Sequence, residues 1–217
     1  MKLQKPRLPV TLRPAGAELP TLFEQAVQAE EEIEGLLISG GCFPGAGLSA
    51  LRFNGIVFEN CRLSGANLRK ASFVDVCFRN CDLSNCLLDE AYFNRCQWVD
   101  CKWVGASLEG CTLRDVHAKD CGLQYANLDH SLLDHVQLIN CDMENTYLTN
   151  CRLKKAALDG CRLIRTSIHR TPLRDMDLTS CEFAGLILSE NFSELKGAMV
   201  RPDQALELSR LLGIVIQ

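Results

Sequence analysis

One kind of side chain returns at every fifth position from Leu48 to Leu188. The 29 positions hold 18 Leu, 6 Phe, 2 Trp and one each of Ile, Met and Ala, the last being Ala118. None carries a charge or an amide. Two residues before each lies a second series, from Ala46 to Leu186, of Ala, Cys, Ser, Thr, Val and a few larger apolar residues. Such spacing matches neither the period of about 3.6 of a helix nor that of about 2 of a strand. A chain that turns a corner every five residues, with one large and one small side chain inside, accounts for it. The residue two after the large one favours Asn, Asp and Gly, as at Asn60, Gly65, Asn80, Asn85, Gly105, Asn140 and Gly160. Those types tolerate turn and left-handed backbone, which a corner requires.

The same frame explains the cysteines. The chain has 13, of which 11 fall in the second, inward series; only Cys42 and Cys77 do not. Cys61, Cys81, Cys101, Cys121, Cys141, Cys161 and Cys181 are spaced by twenty, that is by four five-residue steps, and a coil of four such steps would stack these thiols in a column. Adjacent coils about 4.8 Å apart would allow a disulfide by Cα distance. Parallel side chains, however, put their Cβ atoms at that same separation and do not aim at one another. A metal column would need ligands converging on a point with a polar shell to orient them. A small buried hydrophobe accounts for every position. The four histidines, His117, His130, His135 and His169, all fall on outward positions.

The motif small–polar–Leu/Phe–polar–polar, clearest in Ala66-Asn67-Leu68-Arg69-Lys70, Cys81-Asp82-Leu83-Ser84-Asn85 and Ala126-Asn127-Leu128-Asp129-His130, resembles the pentapeptide-repeat family. The resemblance implies an all-β solenoid, a right-handed quadrilateral β-helix with four pentapeptides to the coil. On this reading residues 1–32 form an extended N-terminal cap, 33–192 the β-helix, and 193–217 a C-terminal capping helix and strand that also dimerise. Pro6 to Pro20 is expected to be extended, followed by a short amphipathic turn through Leu22, Phe23, Ala26 and Val27. Near the other end, Pro202 suits a first helical turn and Asp203 its positive end. Ala205, Leu208, Leu211 and Leu212 would line one face of that helix, Gly213 would stop it, and Ile214-Val215-Ile216 would form the strand.

The tail from Pro202 to Ile216 resembles that of the Qnr and MfpA branch of the family. This implies an end-to-end homodimer through Leu208, Leu211, Leu212, Ile214, Val215 and Ile216. Members of that branch are thought to imitate duplex DNA and to protect type II topoisomerases, DNA gyrase or topoisomerase IV, from quinolones or similar poisons. About seven coils at 4.8 Å span roughly 35 Å, and a dimer roughly 70 Å, or about twenty base pairs at 3.4 Å each. Two departures stand out. There are no loop insertions between Leu48 and Leu188, and a basic band at Arg152, Lys154, Lys155, Arg162 and Arg165 lies toward the expected dimer centre.

The outward positions carry no Ser/His/Asp set, no phosphate loop and no metal pair, so neither an enzyme nor a cofactor or metal is expected. Net charge is −4 overall but −7 over residues 80–150 and +5 over 151–175. That balance gives no broad basic field for direct contact with nucleic acid. The partner surface is expected on two acidic faces. One carries Asp89, Glu109 and Asp129 at twenty-residue intervals, with Glu90 beside the first; the opposite one carries Asp100 and Asp120. Outward Val99, Val104, Ile139 and Ile164 are the alternative contacts, for a scaffold that binds another protein. No run of 18 apolar residues exists to span a membrane. The start Met1-Lys2-Leu3-Gln4-Lys5-Pro6-Arg7 lacks the apolar core of a secretory signal, which points to the cytoplasm.

Overall fold

Peptide groups in this chain pair with the residue twenty positions on. Arg52–Asn54 lies parallel to Ser72–Val74, and Val57–Glu59 to Cys77–Arg79, in strict register. Both ladders then run on into the eight-residue strands Tyr92–Val99, Thr112–Lys119 and Leu132–Ile139. On the other two sides of the square the contact narrows to single bridges such as Arg62↔Asp82 and Asn67↔Leu87, again twenty apart. A computed structural model thus gives a right-handed β-solenoid of about nine turns with a short C-terminal helix. It describes residues 3–16, 18–211 and 213–214.

Corners make the twenty-residue register possible. Every fifth residue from Glu30 to Gly185, Ser180 excepted, has positive φ. Asn and Asp are common there, but so are Lys70, Arg95, Tyr125 and Arg165. Left-handed backbone costs an L-residue about 1 kcal/mol. The cost is met because each corner aligns two peptide groups with the coils above and below, at N···O distances such as 2.8 Å for Gly65 to Ser84 and 2.9 Å for Asn80 to Val99.

Inside, the large series is almost wholly buried. Phe53, Phe73 and Phe93 stack with ring centroids 5.1 and 4.8 Å apart and near-parallel planes. Phe58 and Phe78 do the same at 4.9 Å. These are inter-strand distances, so the backbone register itself sets the aromatic stacking. Ala118 now has a reason. Its register partner one coil back is Trp98, which lies 4.3 Å from Trp103 at the centre of the core, and a small residue leaves room for the two indoles.

The second series performs a polar task besides packing. Ten of its 11 cysteines place Sγ 2.9–3.9 Å from the carbonyl oxygen 23 residues back, for example Cys86 to Leu63 and Cys111 to Leu88. Ser131, Thr146 and Thr166 donate their hydroxyls to the same acceptor at 2.7–2.8 Å. Where the slot holds cysteine, serine or threonine rather than alanine or valine, its side chain can thus serve as a donor as well as filler. All 13 thiols are free and only Cys42 is exposed. Burial pushes the thiols of Cys86, Cys96 and Cys111 up to about 12, so they stay protonated at neutral pH.

The N-terminal end is closed by a helix, α1 (Leu19–Ala29), where the sequence suggested only a turn after an extended Pro6–Pro20. Pro20 sits in its first turn, a position where the missing N–H costs nothing. Leu19, Phe23 and Ala26 form its buried stripe, with Phe23 edge-on to Phe43 and Phe53, while Val27 is exposed. Glu30 ends α1 in left-handed geometry and is also the first corner of the series, so helix passes directly into coil.

Leu128 is 2% exposed at mid-rod. Leu128→Asp buries an unpaired carboxylate, several kcal/mol unfavourable. We expect loss of the β circular-dichroism signal and of cooperative melting, with the protein recovered aggregated.

Candidate functional site

With the interior filled by apolar side chains and protonated thiols, chemistry and recognition fall to the outer surface. Among the described residues no three His, Cys, Asp or Glu side chains converge to hold a metal ion. His135 Nδ1 lies 2.8 Å from Asp134, and His117 is half-buried with Nδ1 unpartnered. Burial, with Lys119 and Lys5 nearby, holds His117 below its ordinary pKa and hence neutral.

The structure stacks the predicted acids in columns but gives several of them cations. Arg69 Nε is 2.7 Å from Asp89, which also accepts from Ser107, and Lys70 is 3.7 Å from Glu90. Asp120 meets Lys119 at 3.6 Å and Asn140 Nδ2 at 3.1 Å. Asp129 accepts the Thr149 N–H at 2.6 Å. Asp100 and Glu109 have no ion pair among the described residues. Arg69 and Lys70 sit one coil below their acids, so the twenty-residue register that stacks like charges also supplies their neutralisation.

The basic band divides in the same way. Arg162 bridges Asp142 and Glu144 at 3.2 and 2.5 Å, and Arg165 bonds Glu144 and, at 3.0 Å, Asn145. Arg162 beside it holds the Glu144 carboxyl below the usual range. Arg152, Lys154 and Lys155 are exposed and take no ion pair among the described residues.

Two features escaped the sequence reading. First, the N-terminal segment is a strap along the corner column Gly35, Gly55, Asp75, Arg95 and Asp115. Arg13–Pro14 pairs in parallel with Leu36–Leu37. Pro9 crosses Gly55 so closely that a Cβ there would stand 3.0 Å from the proline ring. Arg7 N–H then donates to Asp75 at 2.8 Å and Gln4 N–H to Asp115 at 3.0 Å. Arg95 grips Asp75 through both oxygens, at 2.7 and 2.6 Å. Burial alone would raise the Asp75 carboxyl, but Arg95 and the Arg7 N–H outweigh it and hold it below its ordinary 3.8. The neighbouring outward side chains Val57 and Cys77 are buried, 2% and 1% exposed.

Second, the C-terminal helix α2 (Pro202–Leu211) docks through a glutamine. Gln204, rather than Ala205, is its buried residue; Ala205 is exposed. Gln204 Nε2 donates to the carbonyls of Leu178 and Cys181 at 3.0 and 2.7 Å, and its Oε1 accepts the Arg201 N–H at 2.7 Å. It thus satisfies carbonyls of the last coil, which no further coil covers. Leu208 and Leu211 pack half-buried against the core. Gly213 has the left-handed φ expected of a stop. Ile214 is exposed and in no strand, while Leu212, Val215 and Ile216 lie outside the described residues. Before α2, buried Glu194 accepts the N–H groups of Arg170 and Ser189 and the Ser189 hydroxyl, at 2.7, 3.2 and 2.8 Å.

Asp75→Asn keeps the left-handed corner but removes the charge that holds Arg95 and the strap. We expect Cys77 to join Cys42 as a second rapidly reacting thiol in a disulfide-exchange titration. In the parent protein the Asp75 contribution is complete above the ordinary carboxylate pKa and is lost as pH falls through its lowered value, so the same exposure by acid begins only below pH 3.8. Gln204→Ala leaves two carbonyls and one N–H without partners and should lower stability by about 1–3 kcal/mol, read as an earlier urea midpoint.

Two family models match the chain. "Pentapeptide repeat region" aligns with residues 71–139, and "Pentapeptide repeats (8 copies)" with 46–85 and 126–165, so together they run unbroken from 46 to 165. No curated protein sequence matches. Among solved structures, a trypsin-treated variant of QnrB1, a plasmid-mediated fluoroquinolone resistance protein, is 20% identical over 83% of this chain and 91% of its own, with a TM-score of 0.44. HetL, involved in heterocyst differentiation regulation in the cyanobacterium Nostoc sp. strain PCC 7120, is 18% identical over 82% and 94%, with a TM-score of 0.29. No described helix is long and apolar enough to cross a membrane. With an unbroken five-residue register, a four-sided coil and matched models over its central part, the chain belongs to the pentapeptide-repeat proteins.

Proposed function

We propose that this protein is a non-catalytic docking rod that binds a type II topoisomerase, DNA gyrase or topoisomerase IV, in the cytoplasm and shields it from quinolones or similar poisons. The observation that carries this reading is the uninterrupted outer surface. With no loop inserted between Leu48 and Leu188, acidic side chains recur at the coil spacing of about 4.8 Å along straight columns, as phosphates do along a duplex. Asp100 and Glu109, which have no cationic partner among the described residues, are the charges best placed to meet a DNA-binding surface, with Asp89, Glu90, Asp120 and Asp129 around them. Residues 193–217 are proposed to join two copies end to end. Leu206 and Ile214, each 52% exposed, and half-buried Leu208 and Leu211 support an apolar surface at that end.

A second reading, a scaffold for a different protein, is favoured by the pairing of Asp89 with Arg69, Glu90 with Lys70 and Asp120 with Lys119. That leaves a more mixed surface than duplex DNA offers. Half-buried Val99, Val104, Ile139 and Ile164 would then be contact points.

The deciding experiment is quinolone-stabilised DNA cleavage by purified gyrase and topoisomerase IV, with and without the protein. We expect fewer cleavage complexes; unchanged levels with both enzymes sink the first reading. Combined reversal of Asp89, Glu109 and Asp129 to Lys should weaken enzyme binding about tenfold or more while the circular dichroism stays that of the rod.

A further inference from the structure

Among the described residues the coil-to-coil ladder fails at one place. Elsewhere the N–H of the residue before the large one donates to the carbonyl 21 positions back, as from Ser72 to Leu51, Tyr92 to Ala71 and Arg152 to Ser131. The next residue in that column is Pro172, which has no N–H to give to Cys151. From there the break spreads over two sides of the square. Arg152–Lys154 and Ala157–Asp159 pair with Leu132–Ile139 below but with nothing above. The N–H groups of Leu153, Lys155 and Leu158, which by the pattern of the rod should donate to the following coil, find no backbone acceptor there.

Across this stretch three side-chain bonds bridge the coils among the described residues: the Cys151 N–H to Thr171 Oγ1 at 2.9 Å, the Gly160 N–H to Ser180 Oγ at 3.0 Å, and Cys181 Sγ to the Leu158 carbonyl at 3.6 Å. Meanwhile the segment across the gap has its other edge occupied. Leu173, Asp175 and Leu178 donate to Glu194, Gly197 and Met199 at 2.8–3.0 Å. Between the two lies a slit lined only by apolar side chains, among them Leu133, Leu153, Ala156, Leu158, Leu173 and Met176. Leu153 and Leu158 are half-exposed here, although the same slots are buried in the coils beneath. The outward residues of the open edge include Arg152, Lys154 and Lys155, all exposed and without an ion pair among the described residues. The carboxylates closest in sequence, Asp159 and Asp175, flank them.

We propose that this gap is a strand-binding slot for an extended acidic peptide with apolar residues at alternate positions. Such a strand would receive the free N–H groups of Leu153, Lys155 and Leu158. It would turn its apolar side chains into the slit beside Leu153 and Leu158 and its carboxylates outward to Arg152, Lys154 and Lys155. Opening the slot breaks no backbone ladder, because none is formed there, and the displaced segment keeps its bonds to residues 194–199. The charge of the edge selects the partner: a basic strand would meet three uncompensated cations.

The probe is a fluorescein-labelled eight-residue peptide of alternating Glu and Val, titrated with the full-length protein in an anisotropy assay, with an alternating Lys and Val peptide beside it. We expect saturable binding of the acidic peptide, at least tenfold tighter than the basic one, and slowed hydrogen exchange at Leu153, Lys155 and Leu158. Pro172→Val restores the missing N–H, closes the slot and should abolish binding while raising the melting temperature. Arg152→Glu with Lys154→Glu leaves the backbone untouched and should reverse the preference between the peptides. No saturable binding of the acidic peptide overturns the proposal, as does binding that survives the double charge reversal. Self-association abolished by Pro172→Val, without peptide binding, would assign the edge to a second copy instead and equally overturns it.

Discussion

The hydrogen bond between each coil and the residue twenty positions on is the interaction on which this structure depends. It is local to no single repeat. A five-residue step cannot bury its own leucine or satisfy its own peptide groups, and gains both only when a neighbour stacks on it at about 4.8 Å. The left-handed corners follow from this requirement. Lys70, Arg95 and Tyr125 hold positive φ in spite of their side chains because the coils above and below fix the corner between them. Only glycine, asparagine and aspartate would be comfortable there alone.

Within that frame the inner positions divide the work. Large residues supply apolar volume, and their sizes are balanced along a column, as where Trp98 is followed by Ala118. Small residues fill the remaining space, and most of the cysteines, with Ser131, Thr146 and Thr166, also donate to a carbonyl 23 positions back. Thiol and hydroxyl are alternatives at that point, which is why cysteine, serine and threonine share one series. Burial and a carbonyl acceptor suit a protonated thiol, so a chain rich in cysteine carries a chemically quiet core.

The outer surface obeys the same register with a different result. Stacking at twenty-residue intervals would bring like charges together, and in several columns an acid alternates with a base instead: Asp75 with Arg95, Arg69 with Asp89, Asp142 with Arg162. The exposed pairs among these contribute little to stability, whereas Asp75–Arg95 is largely buried beneath the strap, and all of them set which charges remain for a partner. Among the charges without an ion pair in the described residues are Asp100 and Glu109 on one hand and Arg152, Lys154 and Lys155 on the other. The strap further removes one corner column from solvent, and the break at Pro172 opens another part of the wall.

Periodicity determined which side chains of the repeat point inward, and with the family resemblance of the motif it implied the four-sided coil and the stacking of the cysteines, because each depends only on spacing and on whether a side chain is apolar. The pairing of Asp89 and Glu90 with cations was also implicit in the spacing of twenty. Other features were decided by contacts between distant segments. Asp75 and Asp115 read as ordinary corner residues, and nothing periodic in residues 3–16 announced the strap they hold. Gln204 read as the polar side of a helix whose apolar face was assigned to Ala205; the bare carbonyls of Leu178 and Cys181 reversed that choice. Pro172 occupies an outward position and leaves the apolar pattern intact. Its effect is a missing donor, and a missing donor matters only once the tertiary structure places a carbonyl opposite it.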